Sequence, residues 1–399
     1  MDLGFEGGFK CLSPSVNTNI HPEWIESIDG EWVSLRRTGF ETVFANDIRP
    51  PAKVAWTRYF SKKGKRNEDV YRLDSIVDLV KRHRSGEKIF PDNIDIVTGG
   101  FPCQDFSLAG KRKAFNSEKS HDGTKIECDA PTIENRGHLY YWMREVISIV
   151  QPKMFIAENV KGLDLLSDVR DVIESDFADA ADGGYIVVPT KVLLAADYGV
   201  PQGRERIIFI GFRKSALTDE AMNRLINDPN GEISPYPEPT HSPTGDEKLC
   251  PYVTCAQAFV GLVEPDKSAD LAQKSYSRAK LMPRGQGQTE IKLDSIGPTI
   301  RAEHHGNIEF RRLSADHGGK HTFELNAGLL ERRLSVRECA RIQTFPDDYD
   351  FIHVRKPGHD GCSASDAYKV IGNAVPPVLA YNIAMNIAKK WTLYFGDQQ

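Results

Sequence analysis

The stretch Ile94-Asp95-Ile96-Val97-Thr98-Gly99-Gly100-Phe101-Pro102-Cys103 passes from an apolar run into a glycine-rich turn. Two other apolar runs also end in polar residues: Val43-Phe44-Ala45 precedes Asn46-Asp47, and Met154 to Ala157 precedes Glu158-Asn159. Short runs of this kind, separated by helical sequence, predict a doubly wound α/β fold with a mixed, mostly parallel sheet. Ligands of such sheets bind at the carboxyl ends of strands, so we expect the three loops to converge on one crevice.

The rest of the chain divides into a large and a small unit. Strand patterns return at Tyr185 to Val188 and Arg206 to Phe212, and helical periodicity is seen at Leu139 to Val150, Ser335 to Ile342 and Val378 to Lys390. Residues 214–300 instead contain dense Pro and Gly patches. We therefore predict a main domain over 1–213, a smaller loop-rich lobe over 214–300, and a return to the main domain over 301–399.

Composition limits the class of protein. The chain has 399 residues, of which 40% are hydrophobic and 27% charged, as in ordinary globular proteins. We found neither an apolar run of about 18 residues nor a basic, hydrophobic leader. These features predict a cytoplasmic protein with no membrane partner.

The cysteines and the charge distribution bear on chemistry and partners. Seven cysteines are scattered without a Cys-x-x-Cys pair, so neither a disulfide framework nor a metal site is indicated. The net charge is −5, yet residues 271–345 contain 13 Lys/Arg against 8 Asp/Glu. This asymmetry fits a cationic lobe that faces phosphates, although an ordinary solvated surface explains it equally well.

Cys103 is the first candidate for chemistry. A cysteine after proline, in a Gly-rich turn at the end of a buried strand, can be exposed and held in one orientation. Most lone cysteines are small buried hydrophobes, and that alternative stays open on this feature alone.

Two further motifs supply charged groups. Glu158 follows an apolar strand, where partial desolvation would raise its pKa and suit it to proton sharing; a structural salt bridge is the alternative. In the extended segment Gln202-Gly203-Arg204-Glu205-Arg206, the side chains of Gln202, Arg204 and Arg206 share a face. Arginines on a crevice could hold a thiolate, a base carbonyl or a phosphate, whereas on a strand edge they would only be solvated.

The order of these motifs resembles that of the DNA cytosine carbon-5 methyltransferases, of the bacterial type II modification type. The resemblance continues through the stretch Arg333-Leu334-Ser335-Val336-Arg337-Glu338-Cys339-Ala340-Arg341-Ile342-Gln343-Thr344-Phe345-Pro346 and through Gly372-Asn373-Ala374-Val375-Pro376. Six or more motifs match in order over nearly the whole chain. The resemblance implies the Rossmann-like S-adenosylmethionine methyltransferase fold, with target recognition in the lobe at 214–300.

The resemblance also implies a mechanism. Cys103 would attack carbon 6 of a cytosine flipped out of the duplex and form a covalent adduct. Glu158 would engage N3 and the exocyclic amine, Arg206 would hold the base carbonyl oxygen, and Arg204 would orient the site around the thiolate. Carbon 5 would then take the methyl group from S-adenosylmethionine. By the same resemblance, Gln202, Thr299 and Arg301 would lie near the flipped base.

The cofactor residues are likewise those that the resemblance implies. Asp47 would bind the ribose hydroxyls, Ile48 would pack on the adenine, and Asp74 would bond the adenine amine; a helix N-cap is the alternative for Asp74. The remaining residues expected to line the cofactor site are Pro102, Leu139, Asn373 and Ala374.

The sequence departs from the family at its beginning. The usual first strand and its Phe-x-Gly-x-Gly-Gly loop are missing, and residues 10–36 form an insertion. Because every later motif is intact, we expect the natural start to lie upstream of Met1, which intact-mass measurement on protein from the native source would test. A chain that began at Met1 would bind S-adenosylmethionine weakly.

The sequence favours a monomeric DNA methyltransferase, plausible as the modification partner of a restriction endonuclease. Two alternatives stay open at this point. One is an RNA cytosine methyltransferase with the same fold. The other is a catalytically impaired DNA-binding relative, which the missing glycine loop suggests.

Overall fold

A computed structural model describes residues 1–62, 64, 70–101, 139–164, 167–282, 284–302, 308–354 and 361–396. The strands within these ranges are β1 (Lys10–Leu12), β2 (Ile25–Asp29), β3 (Trp32–Leu35), β4 (Ala45–Asn46), β5 (Tyr71–Arg72), β6 (Ile96–Gly100), β7 (Met154–Val160), β8 (Tyr185–Val187), β9 (Lys191–Leu194), β10 (Glu205–Arg213), β11 (His241–Ser242), β12 (Cys250–Pro251), β13 (Phe310–Arg312) and β14 (Arg332–Arg333). The α-helices are α1 (Asp2–Glu6), α2 (Pro50–Ser61), α3 (Ile76–Arg84), α4 (Leu139–Val150), α5 (Ser167–Ala178), α6 (Asp219–Asn227), α7 (Cys255–Ala258), α8 (Leu271–Lys274), α9 (Thr322–Asn326), α10 (Val336–Ile342), α11 (Ala364–Asn373) and α12 (Pro377–Phe395).

The main sheet is built around β7 and β10. Its order is β6-β7-β10-β8, and β9 also pairs with β10. β6 runs parallel to β7 and brings Gly100 opposite Glu158, whereas β10 runs antiparallel to β7, with Ile208 opposite Glu158. This register aligns the end of β6, the end of β7 and the start of β10 at one edge.

Both faces of this sheet are covered, which explains the continuous apolar runs Met154 to Ala157 in β7 and Ile207 to Phe212 in β10. Phe155 and Ala157 pack in one cluster with residues of α4 and α5. The alternate residues Met154 and Ile156 pack in a second cluster, together with the C-terminal helices. Continuous apolar runs therefore serve two cores, as the doubly wound pattern predicts.

The predicted α/β class and mixed sheet are confirmed, but the sheet has fewer parallel pairs than expected. In the five-stranded sheet only β6 and β7 are parallel, while β8 and β9 pair antiparallel with β10. The connection from β9 to β10 spans residues 195–204, too short for a crossover helix. Apolar periodicity identifies strands without giving their direction, so the sequence pattern could not show this.

Residues 10–36, interpreted above as an insertion, form a small sheet of order β1-β3-β2. The insertion docks through polar contacts: the Asn17 amide donates to the carbonyls of Thr240 and Lys248 at 2.9 and 2.7 Å. Gly199 is also needed here, because a Cβ at this position would lie 2.2 Å from the Ser15 carbonyl oxygen. The insertion is thus an integral part of the fold.

The last helix of the chain packs against the first. α12 packs against α1 so closely that a Cβ at Gly4 would lie 2.4 Å from the Ala380 Cβ. By length and composition alone the stretch 364–395 could cross a membrane, but 72% of its apolar window is buried inside the protein. It is a pair of core helices, interrupted by residues 374–376.

Part of the positive charge of the basic region 271–345 lies inside the protein and not on its surface. Six of its arginines are buried, namely Arg311, Arg312, Arg332, Arg333, Arg337 and Arg341. Arg332 forms two 2.8 Å bonds with Glu338, and its guanidinium also contacts Glu264 at 2.9 and 3.2 Å. A buried guanidinium needs carboxylate or carbonyl partners, and most of these lie in other segments.

We predict that Glu264 makes stability depend on acid pH. Burial raises its pKa, but hydrogen bonds from Arg332 and Arg312 outweigh burial and lower the pKa from 4.5 to about 2. The stabilisation is complete above pH 4.5 and is lost towards pH 2, because the unfolded chain takes up the proton first. The urea midpoint of Glu264→Gln should therefore lie below that of the wild type at neutral pH and fall less on acidification.

The matched control is Glu247→Gln, since Glu247 is an exposed glutamate outside the arginine network. Its midpoint should follow the wild type at every pH. Parallel pH profiles for wild type and Glu264→Gln would contradict the prediction.

Candidate active site

Glu158 lies near the end of β7 and is only 7% exposed. Its neighbour across the parallel pair is Gly100, where an added Cβ would lie 3.3 Å from Glu158 Oε2. A larger residue at the end of β6 would therefore press on the carboxylate. The glycine leaves space beside a buried acid.

Arg206 faces this carboxylate from β10. Its Nε lies 2.6 Å from Glu158 Oε1, and both side chains are about nine-tenths buried. The N–H is not directed at that oxygen, because Glu158 Oε1 has no hydrogen-bond partner among the described residues. Arg206 thus stabilises the negative charge but leaves Oε1 able to accept another hydrogen bond.

Asn159 connects β7 to the loop that follows β6. Its amide donates to the Phe101 carbonyl at 3.3 Å, and its own Oδ1 accepts from the Val160 N–H at 2.8 Å. The side chain is 1% exposed, so this bond is shielded from water. Cys103 and Pro102, the predicted nucleophile and a predicted cofactor contact, lie outside the described residues.

Gln202 is completely buried and is fully engaged with the protein. Its Oε1 accepts from the Ile300 N–H at 3.0 Å, and its Nε2 donates to Gln343 Oε1 at 2.6 Å. Gln343 in turn donates to the Ala374 carbonyl at 2.6 Å. The sequence analysis gave no role to Gln343; its place in the stretch 333–346 that resembles the family was the available signal.

Arg204, like Gln202, binds the backbone of distant segments. Its two terminal nitrogens donate to the carbonyls of Ile300 at 3.1 Å and Gly372 at 2.9 Å. Gln202 and Arg204 therefore hold both backbone groups of one residue, Ile300. In the structure Arg204 is a scaffold for the segments around the site.

The predicted substrate residues Thr299 and Arg301 flank Ile300. The Thr299 hydroxyl donates to the Gly203 carbonyl at 2.9 Å, and Arg301 forms an ion pair with Glu309 at 3.1 Å. A Cβ at Gly372 would lie 2.3 Å from the Arg301 carbonyl carbon. The segment 299–302 is therefore wedged between the start of β10 and the end of α11.

The predicted cofactor residues Asp47 and Ile48 follow β4. Asp47 Oδ1 accepts from the Arg49 N–H at 2.8 Å. Burial raises the pKa of Asp47, and the hydrogen bond from Arg49 acts in the opposite sense. Ile48 beside it is 43% exposed, which leaves an apolar surface next to a partly desolvated carboxylate.

Asp74 follows β5, the parallel neighbour of β4, and is exposed. Asn46 joins the two loops, since its amide donates to the carbonyls of Arg72 at 3.0 Å and Asp74 at 2.8 Å. The N-cap of α3 is Ser75, so capping is not the role of Asp74. β4 and β5 form a separate two-stranded sheet, so of the three predicted loops only those after β6 and β7 are shown to meet.

The remaining predicted lining residues occupy helix ends. Leu139 is the first residue of α4, and its side chain lies outside the described part of the chain. Asn373 ends α11 and is exposed, while Ala374 follows it and has its carbonyl bound by Gln343.

Comparisons with known proteins identify the family of the chain. A model of the family described as C-5 cytosine-specific DNA methylase matches residues 23–389. The chain is 32% identical to the type II methyltransferase M.BspRI of Lysinibacillus sphaericus over 405 residues, which cover 100% of this chain and 81% of that protein. It is 31% identical to M.HpaII of Haemophilus parainfluenzae, covering 93% and 92% of the two chains.

The fold is also found among solved structures. A structure described as a DNA modification methyltransferase from an E. coli prophage shares the fold with a TM-score of 0.51 at 18% identity, covering 88% of this chain and 93% of that one. Members of the matched family use S-adenosylmethionine to methylate carbon 5 of cytosine in DNA. The chain belongs to the C-5 cytosine-specific DNA methylase family.

Proposed function

We propose that this enzyme methylates cytosine within a specific duplex sequence through a covalent adduct with Cys103, the DNA (cytosine-5-)-methyltransferase reaction. The observation that carries the proposal is the buried Glu158 carboxylate, charge-balanced by Arg206 yet with an oxygen that no described residue hydrogen-bonds. A cytosine ring offers this carboxyl group a donor at the exocyclic amine and, at N3, an acceptor for a proton that Glu158 delivers.

The cysteines support Cys103 as the nucleophile. Burial raises the thiol pKa of every cysteine that the structure describes, namely Cys11, Cys250, Cys255, Cys339 and Cys362. A raised pKa depletes the reactive thiolate. Cys103 and Cys128, both outside the described ranges, are left as candidates, and only Cys103 follows a strand that ends beside Glu158.

The steps balance as follows. Glu158 takes up a proton from solvent as the base enters. The Cys103 thiolate then forms a bond to carbon 6, the electron pair of the C5–C6 double bond is displaced towards N3, and N3 accepts the proton from Glu158. Arg206 holds the carbonyl oxygen as negative charge develops on it. Carbon 5 then accepts the methyl group of S-adenosylmethionine, which leaves as S-adenosylhomocysteine. Carbon 5 loses its proton to a base, the bond between carbon 6 and the cysteine sulfur breaks to restore the thiolate, and N3 returns its proton to Glu158.

Arg204 and Gln202 support this chemistry indirectly. Their polar groups bind Ile300, Gly372 and Gln343, so they position the wall of the base pocket. We propose that Thr299 and Arg301, on the segment so held, line the flipped base.

The residues after β4 and β5 fit S-adenosylmethionine. Asp47 offers a partly desolvated acceptor for ribose hydroxyls, Ile48 an apolar surface for the adenine, and Asp74 an exposed acceptor for its amine. We propose Leu139, Pro102, Asn373 and Ala374 as further lining residues. When bound, the cofactor supplies an electrophilic methyl group to carbon 5.

The wider assignment is also a proposal. Target recognition is assigned to residues 214–300, between catalytic segments 1–213 and 301–399. The enzyme would act as a cytoplasmic monomer, and its type II relatives favour a role in protecting host DNA from a paired restriction endonuclease.

Adduct formation tests the catalytic proposal. A duplex that contains 5-fluorocytosine at the target carries fluorine where carbon 5 must lose a proton, so elimination fails and the adduct persists. With S-adenosylmethionine, the wild type should give a denaturation-resistant complex, and Cys103→Ser none. Cys250→Ser, which removes another partly exposed thiol, should behave as the wild type. Absence of the wild-type adduct, or methyl transfer to transfer RNA in place of duplex DNA, would overturn the proposal.

A second prediction concerns the wall at Gly372. Gly372→Ala places a methyl group against the backbone of Arg301, which cannot move without breaking the bonds that hold Ile300. We expect kcat to fall at least about tenfold, the effect of roughly 1.4 kcal/mol. Gly203→Ala is the control, because the added Cβ would lie 3.6 Å from its nearest neighbouring atom, an ordinary van der Waals contact. Equal activity of the two variants would contradict the wedged geometry.

A third prediction concerns the cofactor. Asp47→Ala removes the ribose acceptor and should raise the Kd for S-adenosylmethionine at least about tenfold, a typical effect of losing one charged hydrogen bond. Calorimetric titration without DNA measures this directly. Asp92→Ala, an exposed acid after α3, serves as the control and should bind as the wild type. An unchanged Kd for Asp47→Ala would contradict the proposal that Asp47 binds the cofactor.

A further inference from the structure

Much of the 214–300 region is committed to the main domain. The Tyr236 hydroxyl donates to the Ile208 carbonyl of β10 at 2.9 Å, and Lys390 of α12 binds the Ser234 carbonyl at 2.7 Å. At the other end, the backbone of Gly297 bonds to Pro201 and Gly203 at 2.9 and 2.8 Å. These parts support the core and are poorly placed to contact DNA.

One stretch between them contains exposed basic side chains that no described carboxylate neutralises. We define the cationic segment as residues 278–282 and 284–292. Its four basic residues are all exposed, and none forms an ion pair with a described residue: Arg278, Lys280, Arg284 and Lys292. The buried arginines of region 271–345, by contrast, bind internal carboxylates and carbonyls.

The only carboxylate of the cationic segment points inward. Glu290 accepts from the N–H groups of Leu313 at 2.9 Å and Lys320 at 2.7 Å. Its side chain is 6% exposed. The outward charge of the segment is therefore wholly positive, which suits phosphates.

Buried Arg333 holds the segment in a fixed shape. Its guanidinium donates to the carbonyls of Ala279 at 2.6 Å, Lys280 at 3.0 Å and Gly287 at 2.7 Å. Gln288 closes the loop further, since its Oε1 accepts from the Met282 N–H at 2.9 Å. Because the backbone of this loop is already fixed, little conformational entropy of the loop would be lost when its cations bind a ligand.

The segment also leads directly to the site. Five residues beyond Lys292, Gly297 begins the stretch that pairs with the Gln202–Arg204 strand entry and carries Thr299 and Arg301. A short connection therefore joins the cationic segment to the residues proposed to line the flipped base.

We propose that the cationic segment is the surface that holds the phosphate backbone of the target duplex. Within the recognition region proposed above, residues 214–300, this inference assigns the phosphate contacts to the cationic segment. The Lys and Arg side chains release counterions as they meet phosphates, so binding by this surface depends steeply on salt.

The test is the triple variant Lys280→Gln, Arg284→Gln and Lys292→Gln in the full chain. Fluorescence anisotropy with a duplex that contains the target gives the slope of log K against log salt. Each lost phosphate contact should make the slope shallower by about 0.9, hence by up to about 2.7 for three. The KM for DNA should rise at least about tenfold, with kcat unchanged at saturating DNA.

The matched control is a second triple variant, Lys248→Gln, Lys267→Gln and Lys389→Gln, which removes the same charge from exposed lysines elsewhere. It should keep the wild-type slope. Equal slopes for the wild type and the first variant, or an equal loss in both variants, would overturn this inference. The wild-type 5-fluorocytosine adduct reports on the proposed reaction separately, because it forms or fails to form independently of the slope.

Discussion

The site depends on the pair of buried polar side chains that precede β10. Gln202 and Arg204 together satisfy the N–H and the carbonyl of Ile300, about a hundred residues away, and Arg204 also reaches the carbonyl of Gly372. A buried backbone group left without a partner costs about 1–3 kcal/mol. Separating the segments around Gln202, Ile300 and Gly372 would break these bonds, so the bonds hold the three segments together. These hydrogen bonds to the backbone thus fix the frame of the crevice, which is made of the three segments. The side chains of the reacting centre project from this frame.

Within that frame, Glu158 and Arg206 show how the sheet creates reactivity. β7 and β10 are antiparallel, and their register places the two side chains on one face at the edge where β6 also ends. Their burial keeps water from screening the ion pair. The carboxyl group is shielded, yet its Oε1 still lacks a hydrogen bond from the described residues. A group in this state favours a partner that brings its own donor, as a cytosine ring does.

Arginine has opposite roles in two parts of the chain. Around β13, β14 and α10 it is an internal residue, whose planar guanidinium joins carboxylates and carbonyls of several segments. Around residues 278–292 the described basic side chains are exposed and form no ion pair with a described carboxylate. Summed charge could not separate these roles, because a buried ion pair and a solvated cation contribute equally to the count of basic residues. Only the partners distinguish them.

The sequence by itself determined the family, the α/β class and the principal helices and strands, because ordered motifs and continuous apolar runs are local features. It also identified Glu158, Arg204 and Arg206 as functional candidates. Tertiary structure decided strand direction, the burial of the arginines, and the division of labour in which Arg206 faces Glu158 while Arg204 binds backbone. It also gave Gln343, Asn159 and Gly372 their roles. These outcomes depend on what each side chain meets across large separations in sequence, and periodicity carries no information about such partners.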